Sequence, residues 1–296
     1  MKICLGTAQL GQRYGIKGSN RLTFQEALTL LNISINVWDI DMLDTAPLYG
    51  DSEYIIGKYF ENYPANKEKV KVVTKASSFT KGSSECYLDV ALSSVENSLQ
   101  TFAIDVIDGL FLHDEQDILN QKIIGSLSEL KKRGLVRNIG VSVYDPRIAI
   151  KSTEIEEIDY IQIPYNILDR RLDDMNFFSI AKKHGKTIFA RSVFLQGLLL
   201  MDEMPILRAR KYINTFKEIC SKYSMTVTQG CINYVLANNH IDYMIMGIET
   251  PNEMTENMRA LIQPPNINFI NEINSCIHCC DEYVLNPSLW NKKEVV

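Results

Sequence analysis

Asp44, Tyr49, Lys75 and His113 are the residues whose types and spacing point to chemistry. Asp44 closes a short apolar run, and Tyr49 follows on the turn Thr45-Ala46-Pro47-Leu48-Tyr49-Gly50. A phenol has an ordinary pKa of about 10, so it gives up its proton readily near neutrality only beside a positive charge. Lys75 offers that charge at the end of the β-rich run Val70-Lys71-Val72-Val73-Thr74-Lys75, and a carboxylate such as Asp44 would keep the ammonium charged and in place. His113 ends the next apolar run, residues 108–113. Such a set can deliver a proton to an oxygen that is gaining negative charge.

These residues need a frame that brings the ends of three successive strands to one place. A parallel β/α barrel does so, because all its strands open their C-terminal ends on one face. The rest of the sequence has that cadence. Strands are expected at 2–7, up to 44, 70–75, 108–113, 138–143, 160–164, 187–191 and 243–247. Helices are expected at 23–37, where Thr23 and Glu26 form a capping box, at 53–60 capped by Ser52, and at 86–102. Others end at Lys131-Lys132-Arg133 before Gly134, follow Pro146, and cover 173–184, 206–223, 226–238 and 251–261. The segment 192–205, with Gln196-Gly197-Leu198-Leu199-Leu200, reads as a loop that folds over something. The fold class is therefore α/β, a single-domain (β/α)8 TIM barrel over about residues 1–262, with a helical tail over 263–296.

Composition agrees. The chain of 296 residues, 46% hydrophobic and 23% charged, suits one large core. The net charge of −5 comes without a basic stripe, which argues against nucleic acid as a partner. No apolar run approaches the ~18 residues of a membrane span, and the N-terminus enters a strand directly, so a soluble cytoplasmic protein is expected. Seven scattered cysteines suit reduced thiols better than a disulfide framework. The cluster Cys276-Ile277-His278-Cys279-Cys280 invites a metal reading, but no second ligand pair is nearby and residues 267–283 have helical spacing. No metal is expected there.

The segment Asp44-Thr45-Ala46-Pro47-Leu48-Tyr49-Gly50, with strand-end Lys75 and His113 in the same order, resembles the aldo-keto reductases and their D-x-A-x-x-Y-G motif. The resemblance runs from Gly6-Thr7 to Glu256-Asn257. It implies NAD(P)H-dependent reduction of an aldehyde or ketone to an alcohol. Tyr49 would be the proton donor, Lys75 and Asp44 its supports, and His113 the group that orients the carbonyl. Gly6, Thr7 and Asp44 would border the cofactor, and Ser142 and Gln162 would hold its carboxamide. The loop carrying Ser192, Phe194, Gln196 and Gly197 would meet the pyrophosphate through backbone N–H groups. Arg191 stands where many relatives place a stacking aromatic residue. A guanidinium can also stack, but its charge is not neutral toward an oxidised ring. Val143 replaces the amide or arginine that relatives use after the serine.

For the adenosine end the resemblance implies the stretch from Gly247 through Thr250 and Glu253 to Glu256 and Asn257, the last two on the adenine. Strongly NADPH-selective members carry lysine at the position of Gly247 and arginine at that of Glu253; this chain has neither, and Glu249 adds an acid. NADPH is the family default, with NADH close behind and discrimination within ~10-fold, unless Arg208, Arg210 or Lys211 reaches over. The substrate is expected to be a small-molecule carbonyl. Segments 191–197 and Asn286-Pro287-Ser288-Leu289-Trp290 are similar to those of bacterial members encoded with surface-sugar pathways, which points to a sugar or sugar-nucleotide carbonyl. Two other readings stand beside this one: a cofactor-binding regulatory subunit with little turnover, and a Schiff-base aldolase using Lys75. The oligomeric state has no signature in the sequence.

Overall fold

In the computed structural model, which describes residues 1–16, 21–76, 79, 87–203, 205–279 and 281–290, the eight expected strands form. They are β1 (Lys2–Gly6), β2 (Met42–Asp44), β3 (Lys71–Ala76), β4 (Gly109–Leu112), β5 (Ile139–Ser142), β6 (Tyr160–Pro164), β7 (Thr187–Arg191) and β8 (Tyr243–Gly247). Each pairs in parallel with the next, and β8 pairs with β1, so the sheet closes into a barrel. About half of the strand residues are Val, Ile, Leu, Met or Phe, because both faces are buried, one by the barrel interior and one by helices.

Cys4, Met42, Val73, Phe111, Phe189 and Ile245 fill the interior. Phe189 stacks on Tyr243 at 4.6 Å between ring centroids and meets the edge of Phe111 at 5.6 Å. Such offset and edge-on pairs contribute about 0.5–1.5 kcal/mol each beyond burial. The barrel is therefore solid, and chemistry is confined to its mouth.

The expected capping box is present: Glu26 N–H donates to Thr23 Oγ1 at 3.3 Å, and Thr23 N–H donates to Glu26 Oε2 at 2.8 Å. That fixes the start of the helix Phe24–Asn36. Four helix expectations need correction. Ser52 does not cap the helix Ser52–Asn62; Asp51 holds the cap position, and the Ser52 hydroxyl turns inward. The helix expected from 173 begins at Phe177, because Asn176 has a left-handed backbone with φ of 53°. The stretch 206–223 is a 3-10 turn, Leu207–Ala209, followed by the helix Arg210–Lys222. Among the described residues the tail carries two α-helices, Ile267–Cys276 and Glu282–Leu285, the second capped by Asp281, and the 3-10 turn Pro287–Leu289. Residue 86, the expected start of the helix Tyr87–Phe102, lies outside the described residues.

The tail packs Phe269 against Phe216 of the helix Arg210–Lys222 and against Tyr223 just after it. Cys276 is exposed and Cys279 buried, while Cys280 lies outside the described residues. Among the described residues no three His, Cys, Asp or Glu side chains are grouped to hold a metal ion. No described helix is long and apolar enough to cross a membrane.

Candidate active site

Asp44 is the last residue of β2, Lys75 lies near the end of β3, and His113 directly follows β4. Tyr49 sits on the turn after β2, closed by Tyr49 N–H donating to the Ala46 carbonyl at 3.0 Å. That turn is seated on Gly11: Asp51 N–H donates to the Gly11 carbonyl at 3.2 Å, and a Cβ on Gly11 would lie 1.9 Å from the Tyr49 carbonyl oxygen. Only glycine permits so close an approach.

Behind the turn, three buried hydroxyls make a small network. Ser52 Oγ donates to Thr7 Oγ1 at 2.6 Å, Thr7 Oγ1 donates to the Asp44 carbonyl at 2.9 Å, and Thr45 Oγ1 shares a hydrogen bond with Ser52 Oγ at 2.9 Å. Inside the protein these hydroxyls have no water to meet, so they satisfy one another and tie β1, β2 and the helix after Tyr49 together.

Lys75 is 2% exposed, which makes its partners decisive. Its ammonium donates to Asp44 Oδ1 at 2.9 Å, Oδ2 at 3.0 Å and the Thr45 carbonyl at 3.0 Å. Asp44 Oδ1 also accepts from Gln162 Nε2 at 2.8 Å. Burial pulls the Lys75 pKa down, but Asp44 and Tyr49, by charge and hydrogen bonding, outweigh it and hold it above the ordinary lysine value. The ammonium lies 4.8 Å from the centroid of the Tyr49 ring. The His113 ring stands edge-on to that ring, at 6.5 Å and 82°. Burial first, and then the Lys75 charge, lower the His113 pKa below 6.5, with Arg191 adding to the effect and Asp44 opposing it. His113 is therefore neutral at pH 7, with one ring N–H to donate.

A cleft of about 1150 Å³, partly open to solvent, runs from Asp44 and Tyr49 to Glu256 and Asn257. Its reach from the barrel mouth to Glu256 and Asn257 suits an elongated ligand. Gly6, Thr7 and Gln162 line it at the barrel end, and Arg191, Ser192, Phe194, Gln196 and Gly197 along one wall. Gly247, Glu253, Glu256 and Asn257 line the far end. Two expected cofactor residues are not on the wall. Ser142 stands behind Gln162 and donates to its Oε1 at 3.2 Å; Thr250 caps the helix Pro251–Ile262 by accepting from Glu253 N–H at 3.1 Å.

The loop expected to fold over something does line the cleft. Ser192, Leu195, Gln196 and Gly197 all have positive φ, and the Gln196 carbonyl accepts from Ile16 N–H at 2.9 Å, bridging to the loop after β1. Its N–H groups are not all available, however. Those of Leu195 and Gly197 already donate to the Ser192 and Phe194 carbonyls, so Gly197 offers a close surface more than a donor. Nor do the cations that could have reached over, Arg208, Arg210 and Lys211, line the cleft. Arg208 is drawn instead toward the tail, with Asp281 at 3.6 Å and the Tyr283 ring at 5.1 Å.

A sequence profile of the Aldo/keto reductase family matches residues 2–278. The chain belongs to the aldo/keto reductase family. It is an oxidoreductase, and the family's reaction is carbonyl reduction. It is 27% identical over 260 residues to an NADH-specific methylglyoxal reductase of Escherichia coli, covering 75% of this chain and 78% of that one. It is 24% identical over 263 residues to an L-galactose dehydrogenase of Arabidopsis thaliana, covering 83% and 82%. In fold it is similar to a holo-form aldo-keto reductase from Bacillus halodurans, with a TM-score of 0.78, 21% identity and coverage of 96% and 95%.

Within this aldo/keto reductase, sequence reasoning missed Gln9. Its side chain lies over Gly247, where an added Cβ would come within 2.2 Å of Gln9 Nε2. Nothing in the sequence marks two residues so far apart as neighbours. Tyr14 lies on the cleft wall, and burial raises its pKa, so it remains a protonated phenol. Tyr144 was also missed, and it carries Arg191: the guanidinium carbon is 3.9 Å from the ring centroid.

Proposed function

We propose that this protein reduces a small aldehyde or ketone with a nicotinamide cofactor, using Tyr49 as the proton donor. The observation that carries this reading is the Tyr49 ring beside a buried, bidentate Lys75–Asp44 pair, with His113 edge-on, at the mouth of an elongated cleft. The carbonyl oxygen would lie between the Tyr49 hydroxyl and the His113 N–H. Neutral His113 donates a hydrogen bond to that oxygen, and Tyr49 passes it a proton as negative charge develops. The Lys75 ammonium favours the phenolate that remains, and Asp44 keeps the ammonium charged and aimed. A reduced nicotinamide, when bound, supplies the hydride.

The residues present fit such a cofactor. Gln162 uses one N–H on Asp44 and accepts one bond from Ser142, so it has one N–H and one lone pair left for a carboxamide. Asn257, buried and on the cleft wall, is suited to hold the adenine with Glu256. NADPH remains the default and NADH a near equal, because Gly247 and Glu253 offer no cation to a 2′-phosphate. The Escherichia coli relative, named as NADH-specific, supports the NADH arm. The two relatives' names favour a 2-oxoaldehyde or a sugar as substrate. The aldolase reading of Lys75 is disfavoured, since a Schiff-base lysine needs a lowered pKa and Lys75 has a raised one.

Tyr49→Phe tests the reading. It keeps the ring and removes the proton donor, so kcat for methylglyoxal or an aldose should fall ~100-fold or more while nucleotide binding persists. Unchanged kcat with a raised KM would make Tyr49 a binding residue. Nucleotide binding without turnover across an aldehyde panel would favour the regulatory alternative, and borohydride trapping on Lys75 the aldolase.

A further inference from the structure

Arg191 ends β7 in register with Pro164 and faces the cleft. One face of its guanidinium is covered by Tyr144, whose own N–H is fixed by Glu115 Oε2 at 2.6 Å. Its Nη2 donates to the Val143 carbonyl at 3.0 Å and its Nη1 to Ser192 Oγ at 3.2 Å. Both acceptors are neutral. Among the described residues no carboxylate pairs with Arg191, whereas the other cation at this end, Lys75, is paired with Asp44. Its charge reaches the mouth: it helps to lower the pKa of His113 and opposes the rise in that of Tyr14. With Lys75 balanced by Asp44, and with His113 and Tyr14 neutral, Arg191 is the cation on this wall of the cleft without a paired carboxylate; Asp114, which acts on His113, is not among the residues lining the cleft.

We infer that Arg191, held by Tyr144, makes the site discriminate between the two redox states of the nicotinamide, accepting the neutral reduced ring and repelling the cationic oxidised one. This inference rests on the proposed function, which gives the carboxamide to Gln162 and the carbonyl to Tyr49; Arg191 lines the same cleft as both. A dihydropyridine is neutral and electron-rich, and a guanidinium face attracts such a ring. An oxidised nicotinamide is a cation, and two like charges a few ångströms apart in a partly dry cleft repel each other. Arg191 thus acts as a specificity-determining residue for redox state. It speeds loss of the oxidised cofactor after carbonyl reduction, so the protein works as a reductase that oxidised cofactor inhibits weakly.

The test is equilibrium titration of the whole protein with NADH and NAD⁺, and with NADPH and NADP⁺, by calorimetry without substrate. For wild type the oxidised form should bind ~10-fold or more weakly than the reduced form of the same nucleotide. Arg191→Gln should bring that ratio toward one, chiefly by tightening the oxidised form. Arg191→Lys, which keeps the charge but not the planar face, should preserve most of it. A wild-type ratio near one overturns the inference without any variant. A ratio unchanged in Arg191→Gln overturns it as well. So does a variant that leaves the ratio alone and weakens binding of a 2-oxo acid, since the guanidinium would then face an anionic substrate. If none of the four nucleotides binds wild type, the proposed function itself fails, and that outcome is distinct from both.

Discussion

The two ends of the cleft handle charge in opposite ways. At the barrel mouth, Asp44 and Lys75 are 4% and 2% exposed and answer each other through two hydrogen bonds. At the far end, Glu253 and Glu256 lie exposed near the start of the helix Pro251–Ile262, with Glu253 in the first turn, where the helix dipole favours an acid. A buried pair is costly to break, because one partner is left charged in a dry place. An exposed acid at a helix start is worth little to the fold, and Glu253, which accepts from Glu249 N–H at 2.8 Å, is open to a ligand on the cleft wall. On the proposed function, the difference would separate the part that does the chemistry from the part that selects the coenzyme.

The largest expected effect tests the first half of that contrast. Asp44→Asn leaves the Lys75 ammonium buried without its counter-charge and should destabilise the protein by about 3–5 kcal/mol in chemical denaturation. Adding Lys75→Met to Asp44→Asn should recover much of the loss. A cost below about 1 kcal/mol for Asp44→Asn would mean that water reaches the pair, and the contrast would collapse.

The second half is tested by kinetics with both nucleotides at one ionic strength. Wild type should show kcat/KM for NADPH and NADH within ~10-fold. Glu253→Arg should move the ratio toward NADPH by ~10-fold or more, as a charge-assisted bond to a 2′-phosphate forms, with the melting curve nearly unchanged. A wild-type preference above ~100-fold for NADPH would show that a cation outside this stretch grips the phosphate.

The smallest effect sharpens the picture of the mouth. His113 should titrate below 6.5 by NMR, its pKa lowered chiefly by burial and then by Lys75. The sign for stability follows. A histidine with a depressed folded pKa contributes stability that is fully present above its ordinary 6.5 and is lost as pH falls through the folded value. A midpoint above 6.5 would mean that Asp44 outweighs burial at His113.

The same contrast governs how much could be read from the sequence. Asp44, Tyr49, Lys75 and His113 were legible because strand ends and one compact motif carry them, and strand ends show as the edges of apolar runs. Thr23 and Glu26 were legible because a capping box is local. Ser52 misled because a serine before a helix has two uses, and burial against Thr7 and Thr45 decided for the inward one. Gln9 over Gly247 and Tyr144 under Arg191 were not legible. Each joins residues on different strands' loops, and only barrel closure or neighbouring loop shape makes them meet. Phe177 starts its helix late because Asn176 adopts a left-handed backbone, which its sequence neighbours do not signal.

The pairing of β1 with β8 also orders the events of folding. The bond from Lys75 to Asp44 joins residues 31 apart in the chain, a short loop to close, whereas Gly6 and Gly247, in register, span most of its length. Long loops carry a larger entropic penalty and form late. The Lys75–Asp44 half of the mouth can thus be assembled while the barrel is still open, but the cleft between Gly6, Gln9 and Gly247 exists only once the ring has closed. A bound dinucleotide would act as a clasp on that last seam, stabilising the closed chain by mass action.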